Sequence, residues 1–285
     1  MNYRIKTVLF LGFLTGILIF LGNLLGGYTG MIYALILAGI MNFVSYYFSD
    51  KIVLTMYGAK KIRYEEAPFL HEIVEELASR AGIKKPEIYL IPMIQPNAFA
   101  TGRGPEKSCV AVTQGLLQIL TKEEIKGVLA HEIAHIKNRD VLIASIAATI
   151  AGAISIIIHW IRWGLMFGFN SKDREENNPL SFIGALILLI FTPIITMLIQ
   201  LAISRSREYM ADEYGAKLSL NPLYLAKALE KISKGIKIAP AEIYEGTHHL
   251  FIENPLKGET LFELFSTHPP VEKRIKRLYE MAKSM

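Results

Sequence analysis

His131-Glu132-Ile133-Ala134-His135, at the end of the run Thr121-Lys122-Glu123-Glu124-Ile125-Lys126-Gly127-Val128-Leu129-Ala130, decides how this chain is read. Two histidines four apart on a helix share one face and can grip one zinc ion, while Glu132 sits beside the metal without having to bind it. That geometry leaves a coordination position for water, and the carboxylate can take a proton from the water as it attacks a peptide carbonyl. The pattern therefore predicts metal-assisted peptide hydrolysis. Thr121 and Glu124 form a capping-box pair that opens the helix. Neither Pro nor Gly interrupts the sequence between Val128 and Ala151, so the helix is expected to run unbroken from the motif into the apolar segment beyond it.

Hydrophobic residues make up 52% of the 285-residue chain, more than a soluble globule usually carries. The excess is concentrated in blocks. Val8 to Leu25 and Met31 to Phe48 contain no charge, and Val141 to Ile161 and Leu180 to Ile203 repeat the pattern. Each is about long enough to cross a hydrocarbon core of roughly 30 Å, and four together point to membrane spans rather than a signal peptide or core helices. Arg4 and Lys6 precede the first block, Lys51, Lys60, Lys61 and Arg63 follow the second, and Arg205 and Arg207 follow the fourth. By the bias of basic residues toward the inner face, both termini and the His motif are expected in the cytoplasm. The uncharged connection Gly26-Gly27-Tyr28-Thr29-Gly30 is expected as a tight external turn.

The net charge of +5 is explained by these span-end cations meeting anionic lipid heads. No basic stripe interleaved with aromatics and no nucleic-acid motif is present, so no nucleic-acid partner is expected. The single cysteine, Cys109, cannot form an intramolecular disulfide and reads as a structural thiol in a reducing compartment.

Between the second and third blocks, Leu70, Ile73, Val74 and Leu77 form one stripe of a helix over 68–81, ended by Gly82. Ile88 to Ile91 reads as a short strand, and Asn97 to Thr101 and Cys109 to Thr113 as a hairpin around Gly102-Arg103-Gly104-Pro105. After the fourth block, Arg205 to Ala216 continues in helical register. Pro222 opens an amphipathic helix with Leu225, Leu229 and Ile232. The mixed stretch 238–260 reads as a long loop, and Thr267-His268-Pro269-Pro270 opens the last helix.

A catalytic zinc needs a third protein ligand, and Glu208, in Arg205-Ser206-Arg207-Glu208-Tyr209-Met210-Ala211-Asp212, is the best candidate. Asp212 lies one helical turn further on the same face. It can accept a hydrogen bond from the free ring nitrogen of a ligating histidine, His131 in the first instance. Glu213, His248 and His249 remain competing ligands. Glu213 is rotated off the Glu208 face, and the His pair has no supporting carboxylate. His71 and His159 read as ordinary residues.

HEIAH, a downstream glutamate with aspartate four residues later, and four apolar blocks resemble the HtpX family of membrane zinc metalloproteases, relatives of the Ste24 CAAX proteases. The resemblance covers essentially the whole chain, including Asn97-Ala98-Phe99-Ala100, the 205–212 motif and Thr267-His268-Pro269-Pro270 with Arg274. It implies that His131, His135 and Glu208 bind one zinc ion and that Glu132 is the general base. It also implies that His268 and Arg274 point donors at the oxyanion, and that Asn97, Ala98, Phe99 and Ala100 bind an extended substrate, Asn97 contacting its main chain. Such backbone recognition is sequence-tolerant and suits removal of damaged membrane proteins, the role the family implies.

The expected fold is a mainly α integral membrane protein, with four transmembrane helices and a cytoplasmic zincin-like α+β catalytic domain containing a small sheet. Residues 1–50 hold two spans and 51–140 the catalytic part with the motif helix. Residues 141–203 hold the other two spans, and 204–285 the third ligand and last helix. The expected function is zinc endopeptidase action on unfolded or misfolded membrane proteins in the cytoplasmic membrane, with lipids as further partners. A CAAX-type prenyl protease is one alternative, though those relatives carry more spans. A catalytically silent zinc-stabilised scaffold is another, against which Glu132 argues because a structural site needs no base. A zinc transporter is disfavoured by spans that hold almost no carboxylates or histidines.

Overall fold

In the computed structural model, which describes residues 3–150, 205–238, 250–252 and 269–284, Tyr3–Met56 (α1) is helical except at Gly26 and Gly27. Gly27 adopts φ 57° and ψ −145°, a region open essentially to glycine alone. Asn42 Nδ2 donates to Thr15 Oγ1 at 2.8 Å across 27 residues, which a straight helix would hold roughly 40 Å apart. The two limbs therefore fold back on each other as an antiparallel hairpin. A Cβ on Gly22 would stand 2.5 Å from both the Gly30 carbonyl oxygen and Ala34 Cβ, so glycine permits the close approach below the turn. The turn expected over 26–30 is confined to Gly26 and Gly27. Phe20, Tyr28, Tyr33, Ile36 and Ile40 are exposed along the limbs. Among the described residues one helix, Gly26–Met56, is long and apolar enough to cross a membrane, and Leu11–Phe20 and Val141–Ile150 are shorter apolar helices. The block 180–203 and residues 151–161 of the third block lie outside the described residues.

Lys60–Lys61 (β1), Glu87–Ile91 (β2), Ala98–Gly104 (β3) and Lys107–Thr113 (β4) form a mixed sheet ordered β1-β2-β4-β3. β2 and β4 are parallel, and the other pairs antiparallel. The hairpin turn falls at Pro105 and Glu106 rather than at Gly102, because β3 continues through a register shift between Gly102 and Gly104. Both glycines have φ above 120°, and a Cβ on Gly102 would lie 2.5 Å from the Lys107 carbonyl oxygen, so this bulge requires glycine. Side chains alternate across the sheet. Ile88, Ala98, Ala100, Val110 and Val112 enter the main core, whereas Ile91, Phe99, Cys109 and Ala111 pack against Val53, Leu54 and Tyr57 of α1 with Leu250 and Phe251.

Pro68–Ala81 (α2) buries the expected stripe of Leu70, Val74 and Leu77, and stops at Gly82 in the left-handed region, φ 61°. Gln114–Ile119 (α3) is capped by Thr113, whose hydroxyl accepts the Leu116 N–H. Lys122–Lys137 (α4) starts with the capping box of Thr121 and Glu124 in place. It is the central helix, packed against α2, β3, Arg205–Ser219 (α6) and Pro222–Ile238 (α7). The chain closes with Val271–Ser284 (α8), and the Pro270 carbonyl accepts the N–H groups of Lys273 and Arg274.

One expectation is overturned here. The motif helix does not run on into the apolar block: α4 ends at Lys137, and a new helix, Val141–Ile150 (α5), begins after Asp140. Arg139 takes φ 61°, its N–H donates to Ile136 O at 3.1 Å, and the Asp140 N–H donates to His135 O at 3.0 Å. This is a Schellman-type stop without glycine. Just past the stop, Arg207 Nη1 donates to Asp140 Oδ1 at 3.1 Å.

Candidate metal centre

His131 and His135 project from one face of α4 with their Nε2 atoms 3.2 Å apart. α6 crosses α4 so that Glu208 Oε2 lies 3.7 Å from His131 Nε2 and Oε1 lies 3.3 Å from His135 Nε2. One ligand atom from each of the three residues falls within 4.8 Å of the others. A glycine makes the crossing close enough: a Cβ on Gly215 would stand 2.9 Å from the His131 nitrogen and 3.0 Å from its Cα. One turn beyond Glu208, Asp212 Oδ1 sits 2.9 Å from His131 Nδ1. Arg274 grips the same carboxylate from α8, Nη2 donating to Oδ1 at 2.6 Å and Nε to Oδ2 at 2.9 Å. Burial would raise the Asp212 carboxyl, but the Arg274 guanidinium and the His131 ring hold it down at about 2.

Glu132 is buried, and its Oε2 accepts the Ala100 N–H at 2.8 Å. Burial lifts its carboxyl above the ordinary value against the pull of His131 and His135, and Glu208 adds to the rise. Burial would likewise depress His135, yet Glu208, Asp140 and Glu132 outweigh it and carry the imidazole up to about 10. The Nδ1 atoms of both histidines face carboxylates, Asp212 and Asp140. With Nδ1–H directed there, both Nε2 lone pairs aim at each other and at Glu208. Either a proton on His135 Nε2 or a divalent cation reconciles these facing acceptors, and two imidazole nitrogens with a carboxylate are a donor set that fits a bound divalent metal.

Asn97 and Arg274, expected at the substrate and at the oxyanion, both make hydrogen bonds within the protein. Asn97 is buried, and its amide reads the main chain of this protein: Oδ1 accepts the Ile252 N–H at 3.0 Å, and Nδ2 donates to Leu250 O at 3.4 Å. Arg274 lies against the ligand cluster, with Nη2 3.4 Å from His131 Nε2 and Nη1 3.6 Å from Glu208 Oε2. Besides Asp212, its Nη1 donates to Ile252 O at 3.0 Å, and the side chain is 1% exposed. Ala98 and Ala100 turn their side chains into the main core, and Phe99 turns its ring toward Tyr57. Among the described residues β3 is an edge strand of the sheet, as expected. Glu213 is an exposed partner of Lys217 and drops out as a ligand. His71 Nε2 meets Ile62 O at 3.2 Å. His159, His248, His249 and His268 lie outside the described residues. Sequence reasoning missed Asp140, Arg207 and Gly215; a glycine inside an otherwise helical pattern was the one signal for a close helix crossing.

The family model of Peptidase family M48 matches residues 65–282, spanning the HEIAH helix, Glu208, Asp212 and Arg274. The chain belongs to peptidase family M48. Relatives of this M48 chain include the protease HtpX homolog of Aquifex aeolicus (strain VF5), 60% identical over 95% of this chain and 90% of its own length. That of Pyrococcus furiosus is 54% identical over 99% of this chain and 96% of its own. The crystal structure of S. mikatae Ste24p shares the fold at a TM-score of 0.52 and 18% identity, with 94% of this chain covering 62% of that one. As an M48 peptidase with HtpX relatives over its whole length, this chain is a membrane metalloprotease.

Proposed function

We propose that the chain is a multi-pass zinc endopeptidase of the cytoplasmic membrane, acting on unfolded or damaged membrane proteins, with its site and both termini in the cytoplasm. One zinc ion per chain is held by His131, His135 and Glu208, with Glu132 as general base. The observation that carries this reading is the convergence of two imidazoles and a carboxylate within 4.8 Å, beside a second carboxylate anchored by a backbone N–H. Four spans, at 8–25, 31–48, 141–161 and 180–203, divide the catalytic part into 51–140 and 204–285. The α1 hairpin and the charge bias of the flanks support the first two.

When bound, zinc supplies a Lewis acid that acidifies water and polarises a peptide carbonyl. Glu132 takes the proton from the attacking water and delivers it to the leaving nitrogen. Asp212 fixes the His131 tautomer, and Arg274 fixes Asp212. His268 is assigned to the oxyanion by the resemblance in its Thr-His-Pro-Pro segment. Among the described residues β3 has a strand neighbour on one side only, so its backbone over 98–100 offers an extended substrate a pairing edge. The Ala100 N–H links that edge to the base.

The test is cleavage of unfolded casein by detergent-purified protein, wild type beside Glu132→Gln, with zinc measured in both. Cleavage by the wild type alone, with about one zinc in each, is the expected result. Equal cleavage by both would remove Glu132 from the chemistry.

A further inference from the structure

His131 is braced by a carboxylate and a guanidinium in line, Asp212 and then Arg274. Across the ligand cluster His135 faces the same succession of groups. Its Nδ1 lies 3.5 Å from Asp140 Oδ2, and Arg207 Nη1 donates to Asp140 Oδ1 at 3.1 Å. Asp140 Oδ2 is buried with no hydrogen bond completed, and the ring nitrogen of His135 is the donor that faces it. The interruption after α4 creates this arrangement. In a continuous helix, residue 140 would sit about 140° around the axis from His135 and could not reach its ring. The stop instead turns the chain so that the Asp140 N–H bonds to the His135 carbonyl, holding the carboxylate beside the imidazole.

We propose that Asp140 and Arg207 are positioning residues of the metal centre: Asp140 accepts the His135 Nδ1–H and so presents Nε2 to the metal, while Arg207 holds Asp140. The inference rests on the reading of His131, His135 and Glu208 as ligands. A small turn of the imidazole closes the 3.5 Å approach into a full hydrogen bond. Asp140 immediately precedes α5, which opens the apolar block beginning at Val141, and Arg207 lies in the first turn of α6, just after the block ending at Ile203. The pair therefore ties the ends of both membrane-proximal helices to one ligand. A shift of either helix against the other moves the group that orients His135.

A purely structural ion pair between α5 and α6 is the competing account, and charge exchange separates the two. Detergent-purified full-length protein is loaded with zinc, release to a chromophoric chelator is timed, and the visible spectrum is recorded after cobalt substitution. Asp140→Ala is expected to release zinc about 10- to 100-fold faster and to alter the cobalt bands. Asp140→Asn, which keeps a carbonyl acceptor, is expected to recover part of the loss. The exchange Asp140→Arg with Arg207→Asp restores an ion pair but offers His135 no acceptor, so it is expected to remain as leaky as Asp140→Ala. Wild-type release from the exchange variant, or from Asp140→Ala, would overturn the proposal. His135→Ala is the control: if it sheds zinc while Asp140→Ala does not, only this inference falls, and if His135→Ala holds zinc normally, the ligand reading falls with it.

Discussion

His135 is the residue on which the charge of the site converges. Glu208, Asp140 and Glu132 raise its imidazole from an ordinary 6.5 to about 10, so the metal-free protein carries it protonated at neutral pH. A ligand must be neutral, and metal uptake at pH 7 to 8 is therefore expected to release about one proton from this ring. The sign follows directly: below about pH 10 each unit of acidification costs up to about tenfold in apparent affinity, read by chelator competition at two pH values. Calorimetry in buffers of different ionisation heat should show the released proton, and no proton release would mean that the metal-free ring is already neutral. Cys109 illustrates the opposite effect of burial, which pushes its thiol up to about 12, with Asp50 and Glu87 adding to the rise. It should resist iodoacetamide at pH 8 in the folded protein and react once denatured. Rapid native labelling would mean that the β4 face packed on α1 is open.

At the scale of elements, the site is a helix crossing. Under the proposed function α4 supplies two ligands and the base, and α6 the third ligand and Asp212; Gly215 sets the separation of the two helices. Gly215→Ala forces a methyl against the His131 backbone, which cannot yield as a flexible side-chain tip would. Overpacking of this kind costs about 1–3 kcal/mol, and it should move Glu208 from the histidines. Reduced zinc retention together with a lowered unfolding temperature is expected; unchanged metal content would show that α6 can shift without disturbing the centre. Gly127 has the same function toward α7, where a Cβ would lie 2.5 Å from the Leu225 nitrogen. The capping box at Thr121 and the stop at Asp140 bound the catalytic helix, one by residues three apart and the other by a partner 67 residues away.

At the scale of the whole molecule, the sheet is sandwiched. Its one face belongs to the catalytic core, and its other face rests on the end of the α1 hairpin and on Phe251. The catalytic part is thereby joined to the apolar hairpin by packing as well as by chain connection, with Tyr57, Phe99 and Phe251 in ring contact. Under the proposed topology the segment around Lys172 is external. A cysteine placed at Lys172, with Cys109 as the buried internal control, should be labelled by an impermeant maleimide added to intact cells. Protection at that position, with labelling only after lysis, would sink the four-span arrangement.

The sequence by itself determined the features whose causes lie within a few residues. The α4 start is written in Thr121 and Glu124, the α2 stripe and its end in Leu70 to Gly82, and the strand alternation in Ala98 to Ala100 and Cys109 to Thr113. The ligand face of HEIAH is likewise a local matter, because residues four apart must share one side of a helix. Tertiary structure alone decided the parallel pairing of β2 with β4, the use of Asn97 against Leu250 and Ile252, and the capture of Asp212 by Arg274. It also decided the break at Asn138 to Asp140, where no local breaker announced it. Each of these joins groups distant in the chain, from 22 residues between the paired Glu87 and Cys109 to 155 between Asn97 and Ile252. Buried polar groups must find partners wherever the fold delivers them, and that search is invisible to periodicity and capping rules, which register only what neighbours along the chain can satisfy.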